Sequence, residues 1–198
     1  GWGKSGGTIN SYVYNYNLAG VRDPLTFANG DYDISQSDFV PGTRAQYHKY
    51  LHRVVNNYSS GDAHDGYDWH TNENAYQGNN TQPNFGEAIS SIYTNGVRGS
   101  WIQMKMPYKM NVKKVEITGR SGWGQRNPKN AHLFGSNDNG TTFYKIGDIS
   151  FNAVNGTQTE TVTSTSSNTD SYELIRMVVS SIHGDKACHI DYWALIGD

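Results

Sequence analysis

The sequence predicts an all-β protein, an antiparallel sandwich or jelly roll. Three observations carry that reading. Short runs with period-two alternation recur through the second half of the chain, each bounded by Gly, Asn or Ser. The composition suits strands joined by tight turns, with 14 Tyr and 22 Gly among 198 residues. Aromatics reach 13% while charged residues are held to 17%, the reverse of a disordered chain. The length suits one domain, or one domain with an appendage.

The elements follow in order. No structure is assigned to the first seven residues, GWGKSGG, and the start without Met suggests a piece of something longer. Residues 8–18 alternate, with Tyr12, Tyr14 and Tyr16 on one face, and read as a strand. It is either an added edge strand or a contact to another subunit. Residues 24–46 are turn-rich. Residues 45–57 read as a short helix in preference to a strand, because Tyr47, Tyr50, Leu51 and Val54 would share one stripe. Residues 57–86 form a long polar stretch of the kind that tends to be functional, with one short strand near 67–71.

Strand signals then come quickly. SWIQMKMP (100–107) puts Ile102, Met104 and Met106 on one face, and VKKVEITGR (112–120) turns Val115 and Ile117 inward. Residues 131–149 are two strands around Asn139–Gly140, a hairpin signal. Residues 157–165 alternate Thr with other residues, as an exposed strand would. YELIRMVVSS (172–181) is the strongest core strand, and HIDYWALIG (189–197) closes the chain. No internal repeat or interdomain linker is visible.

Composition also excludes classes. A net charge of −2 gives no reason to expect nucleic acid or an anionic membrane as partner. No apolar run approaches the ~20 residues that span a bilayer, so no membrane insertion is expected. Cys188 is the only cysteine, cannot form an internal disulfide, and reads as a buried inert thiol. The sequons at Asn57, Asn79, Asn139 and Asn155 read as turn chemistry in an Asn- and Thr-rich chain.

The order of segments is specific. Trp101-Ile102-Gln103 opens one strand and Gly119-Arg120 ends the next. Ser136-Asn137-Asp138 with Phe143 marks the hairpin, Tyr172 with Arg176 the core strand, and Gly197 the last one. Taken together these resemble the discoidin, or F5/8 type C, domain, a galactose-binding-like fold, over residues 27–198. The resemblance implies an antiparallel jelly-roll β-sandwich of about eight strands, with residues 1–26 as an N-terminal extension. It also implies a binding role, most often toward glycans, as in carbohydrate-binding modules, lectins and fibre tips. The cysteine pair of the animal versions is missing, which argues against animal-type functions. A disulfide-free domain of this kind fits a bacterial surface or a virion, hence an extracellular location.

In such a fold, ligands sit on loops at one end. Two loops have suitable chemistry: HDGYDWHT (64–71) and GRSGWGQRNP (119–128). A sugar needs a flat apolar surface for its C–H face and fixed donors and acceptors for its hydroxyls. Trp69 and Trp123 can supply the first. Asp65, Asp68, His70, Gln125, Arg126 and Asn127 can supply the second, the arginine fork and carboxylates together orienting a diol. Trp69 is equally readable as a plug on the open end of the core, and Trp123, between two glycines, is favoured as a platform.

His48 and His52 have a helical i, i+4 spacing, with Asp62, His64 and His70 following, but no HExxH occurs, and a surface or core pair is the preferred reading. No cofactor is required. A structural calcium ion, which related domains often hold, is left open with Asp31, Asp33, Asp62, Asp65 and Asp191 as candidates. Nothing marks a catalytic site beyond carboxylate pairs such as Asp65 and Asp68. The expected function is therefore non-catalytic glycan binding for adhesion, with a homotrimer as a candidate assembly. A protein-binding or purely structural tip domain is the alternative.

Overall fold

The computed structural model of the chain describes residues 8–9, 32–38, 69–72, 74–78, 84–164 and 170–198. Strands are the dominant element of these residues, with every pairing antiparallel. A seven-stranded sheet contains β1 (Thr8–Ile9), β2 (Tyr32–Gln36), β6 (Ser100–Met110), β8 (Pro128–Ser136), β9 (Tyr144–Ser150), β11 (Thr163–Ser164) and β12 (Tyr172–Ile182). Its order is β1-β2-β6-β12-β8-β9-β11. A four-stranded sheet contains β3 (Trp69–His70), β7 (Val112–Gly119), β10 (Gly156–Thr161) and β13 (His189–Gly197), in the order β10-β7-β13-β3. A small hairpin of β4 (Tyr93–Thr94) and β5 (Val97–Arg98) completes the set.

One core lies between the two larger sheets. Ile102, Met104, Leu133, Ile175, Met177 and Val179 meet Val115, Ile117, Trp193 and Leu195, all at most 0% exposed. Full burial of each such side chain contributes about 1.5–3 kcal/mol. The period-two patterns read from β6 and β7 are the inward faces. In β13 the phase changes between Ile190 and Trp193, both buried, because the ladder to β7 slips between Ile190 and Tyr192. β12 lies at the centre of the seven-stranded sheet, between β6 and β8, so both of its edges are paired.

The outer face of β12 is closed by a stack. The Arg176 guanidinium lies 3.9 Å from the ring centroid of Trp101 and 4.0 Å from that of Phe143. Its Nε donates to Gln103 Oε1 at 2.8 Å and its Nη1 to Thr94 Oγ1 at 3.0 Å. Burial pushes its pKa down to about 10. Stacking and two hydrogen bonds compensate that desolvation.

Several sequence expectations are refined. The hairpin around Asn139–Gly140 exists, but its connection spans residues 137–143 rather than two residues. Asn139 and Gly140 both take positive φ, at 59° and 83°. The Ser136 hydroxyl accepts from the Gly140 N–H at 2.9 Å, and Asp138 Oδ1 accepts from the Thr142 N–H at 2.9 Å. These side chains hold a wider loop. The Thr-rich run of 157–165 is not one strand: β10 joins the four-stranded sheet and β11 the other, with Val162 between them donating to the Lys113 carbonyl at 2.9 Å. Of the strand expected over 8–18, Thr8 and Ile9 pair with Asp33 and Tyr32. Its remainder and the helix expected over 45–57 lie outside the described residues.

Candidate functional site

Antiparallel topology gathers three loops at one end of the sandwich. The end of β7 at Gly119 pairs with Ile190, near the start of β13. The loop after β7 and the loop before β13 are therefore neighbours. The connection from β9 to β10 joins them, since Gly156 also pairs with Gly119.

The loop after β7 is built around one 3₁₀ turn, Gly124–Arg126, with Trp123 as its N-cap. Gly122 takes φ +79°, which positions the turn without steric cost. Its N–H donates to Asn155 Oδ1 at 3.1 Å. Gly124 runs against the neighbouring connection so closely that a Cβ there would lie 2.9 Å from the Ala153 carbonyl oxygen. The Gln125 carbonyl accepts from the Gly184 N–H at 2.9 Å. The loop is held from both sides, by the Asn155 side chain and by the Gly184 backbone.

Trp123 stands at its tip, 37% exposed. The Arg126 guanidinium lies 4.3 Å and the Arg120 guanidinium 5.4 Å from its ring centroid. Arg126 is fixed in turn: its Nε donates to Asp185 Oδ2 at 2.8 Å, and its Nη1 contacts His70 Nε2 at 2.9 Å. His70 Nδ1 contacts the Thr71 carbonyl at 2.7 Å. A carbonyl can only accept and a guanidinium can only donate, so the imidazole is the neutral tautomer carrying its proton on Nδ1. The His70 ring packs edge-on to that of His189, centroids 4.7 Å apart. An exposed indole is thus backed by an ordered cation whose own partners are nearly buried.

The predicted residues separate into three groups. Trp123, Gln125 and Arg126 stand together at the loop end. Trp69, His70 and Asn127 are fully buried. Trp69 is the plug: it sits in β3 opposite Ile190 and belongs to the core, so its ring offers no face to a ligand. His70 acts behind Arg126. Asn127 is a brace: its Nδ2 donates to the Asn152 carbonyl at 3.2 Å and the Val154 carbonyl at 2.8 Å. Gly119 makes room for it, since a Cβ there would lie 2.0 Å from Asn127 Oδ1. Asp65 and Asp68 lie outside the described residues.

The second half of the long polar stretch is also structural. Ala75 and Tyr76 join the core, as does Ala88 just beyond the stretch, and the Tyr76 hydroxyl donates to the Val179 carbonyl at 2.9 Å. Cys188 is fully buried beside them, and burial pushes its thiol pKa well up, away from the reactive thiolate.

Sequence reasoning missed Asp185, Asn155 and the bracing carbonyls of Asn152 and Val154. The signal for Asp185 was its turn HGDK just before the last strand, which antiparallel pairing brings to the end of β7. Of the calcium candidates, Asp191 lies beside His189, with 3.3 Å between Oδ1 and Nε2. Asp31, Asp62 and Asp65 lie outside the described residues, as do the side chain of Asp33 and the pair His48 and His52. Among the described residues, no three His, Cys, Asp or Glu side chains gather as for a metal.

The two packed antiparallel sheets have the galactose-binding-like sandwich fold. The chain belongs to the F5/8 type C domain family, whose sequence model matches residues 54–191. Among solved structures, it is similar to a CBM32 module from Clostridium perfringens in complex with GalNAc-β-1,3-galactose. The TM-score is 0.53 at 14% identity, over 84% of this chain and 95% of that one. It is similar to the C-terminal domain of a chitobiase from Bacteroides fragilis, at TM-score 0.54 and 17% identity, over 84% and 93% of the two chains. A third is a CBM32 module from a family 31 glycoside hydrolase of Clostridium perfringens, at TM-score 0.52 and 12% identity, over 82% and 88%. At these identities the likeness is one of fold. No curated protein matches the sequence.

Proposed function

We propose that the chain is a non-catalytic glycan-binding module whose site is the loop end around Trp123. The observation that carries this is an exposed indole on a loop braced from two sides, with Arg126 locked against it by Asp185 and His70. A folded chain gains nothing from leaving that ring in water, whereas a sugar ring gains a flat apolar surface. Hydroxyls would be met by Arg126 and by the polar edge of the loop at Gln125, with Asp65 and Asp68 as further candidates. Ligands named for the similar structures support the class: one is solved with GalNAc-β-1,3-galactose.

Binding is passive. The loop is braced before any ligand arrives, and no bond is made or broken. One site of this kind binds with Kd around 1 mM, about −4 kcal/mol. Adhesion at an extracellular surface, bacterial or viral, then needs several copies, because repetition converts weak contacts into avidity. A homotrimer would supply them, and sedimentation of a monomer at high concentration would remove that part. The test of the site is a glycan array probed with the wild type and with Trp123→Ala. The wild type should retain a defined set of glycans and the variant should lose it. Equal retention by both would show that the sugar lies elsewhere.

A further inference from the structure

The same physical criterion, an aromatic face beside fixed hydrogen-bonding groups, is met again at the opposite end of the sandwich. β8 starts at Pro128 beside the Trp123 loop and ends at Ser136, eight residues later. At a rise of about 3.3 Å per residue, the two ends lie roughly 26 Å apart. At the far end an open cleft of about 240 Å³ is lined by Asn137, Tyr144, Asp170, Ser171 and Tyr172.

Tyr144 is 57% exposed, more than Trp123. Its ring lies within 21° of parallel to that of Tyr172, centroids 6.2 Å apart. Tyr172 is 5% exposed and seated on Gly135, where a Cβ would come 2.2 Å from its ring. One aromatic is therefore a fixed backing and the other a free surface. Asn137 fixes the rim: its Nδ2 donates to the Ser171 carbonyl at 3.1 Å, and its Oδ1 accepts from the Glu173 N–H at 3.1 Å. The cleft is thus ordered before any ligand arrives, which lowers the cost of binding. Its lining carries the Tyr144 phenol, the Ser171 hydroxyl and the Asp170 carboxylate. The one formal charge in that lining is negative.

We propose that this cleft is a second saccharide subsite, taking a single neutral or amino-bearing pyranose and rejecting acidic sugars. The reading of the chain as a glycan binder supplies the ligand class, and the cleft supplies the rest. Its volume falls below the ~300–1,000 Å³ of drug-sized pockets, which suits one ring. The carboxylate beside exposed aromatic carbon favours an ammonium group and repels a carboxylate. With the two ends roughly 26 Å apart, one short oligosaccharide cannot reach both. The chain would therefore bridge separate glycans.

The test is an amide NMR titration of the full chain with glucosamine, galactose and glucuronate, each at millimolar concentration. Glucosamine and galactose should shift the signals of Asn137, Tyr144, Ser171 and Tyr172, and glucuronate should not. The shifts should persist in Trp123→Ala, weaken at least tenfold in Tyr144→Ala, and weaken severalfold for glucosamine in Asp170→Asn. Tyr144→Ala removes an exposed ring, so an unchanged spectrum away from the cleft verifies its fold. Shifts confined to the Trp123 end overturn the second subsite and leave the principal site standing. Shifts confined to the Tyr144 end do the reverse, and silence at both ends overturns both.

Discussion

Arg126→Met tests whether one side chain ties the binding end together. The substitution keeps the aliphatic length and removes the guanidinium. Asp185 then loses its partner at 2.8 Å, and His70 Nε2 loses a donor at 2.9 Å. The arginine and aspartate side chains are only 12% and 18% exposed. That places the pair between an exposed ion pair, worth about 0–1 kcal/mol, and a buried one, which costs about 3–5 kcal/mol to break. A loss of about 2 kcal/mol for the pair and about 1 kcal/mol for the orphaned imidazole nitrogen gives roughly 3 kcal/mol. For a domain of this size, that lowers Tm by about 6–12 °C. Asp185→Asn keeps an acceptor and removes the charge, and should cost about 1 kcal/mol. Urea unfolding of both single variants and the double variant closes the cycle, with an expected coupling of about 1–2 kcal/mol. Additive losses, or a loss below about 0.5 kcal/mol in Arg126→Met, would refute the reasoning.

Three further outcomes follow from the same structure. The Thr142 N–H and the Ser136 hydroxyl hold the Asp138 carboxyl down to about 2, below its unfolded value of 3.8. Its contribution is therefore complete above about pH 4 and lost as pH falls toward 2. Asp138→Asn should be less stable at neutral pH and should lack that part of the acid loss, and parallel acid-unfolding curves would contradict this. Cys188 should react with a thiol reagent only as fast as the protein opens, so labelling rates should rise with urea, and immediate native labelling would count against its burial. Arg176→Lys keeps a charge but loses the planar stack on Trp101 and Phe143. It should destabilise by about 1–2 kcal/mol in denaturant titrations, and an unchanged midpoint would show that the stack is idle.

Much of the fold was legible because period-two patterning is a local signal. The inward residues of β6 and β7 could be read from alternation alone. The switch of the Thr run between sheets at Val162 could not, since both halves alternate alike and only pairing with β7 or β9 separates them. The loop-end indole was legible from its flanking glycines, which announce a tip rather than a core position. Trp69 was not, because its fate depends on Ile190, more than a hundred residues away, against which β3 closes the sheet edge. Asp185 was hidden for the same reason: its partner Arg126 is 59 residues away, and neither local sequence names the other.

The most direct measurement is an indole NMR titration of the wild type with a saccharide selected on the array, the Trp123 signal being assigned by its disappearance in Trp123→Phe. The Trp123 N–H should move and saturate at millimolar ligand, while those of the buried Trp69 and Trp193 stay in place. Saturable binding that leaves the Trp123 signal unmoved would contradict the account.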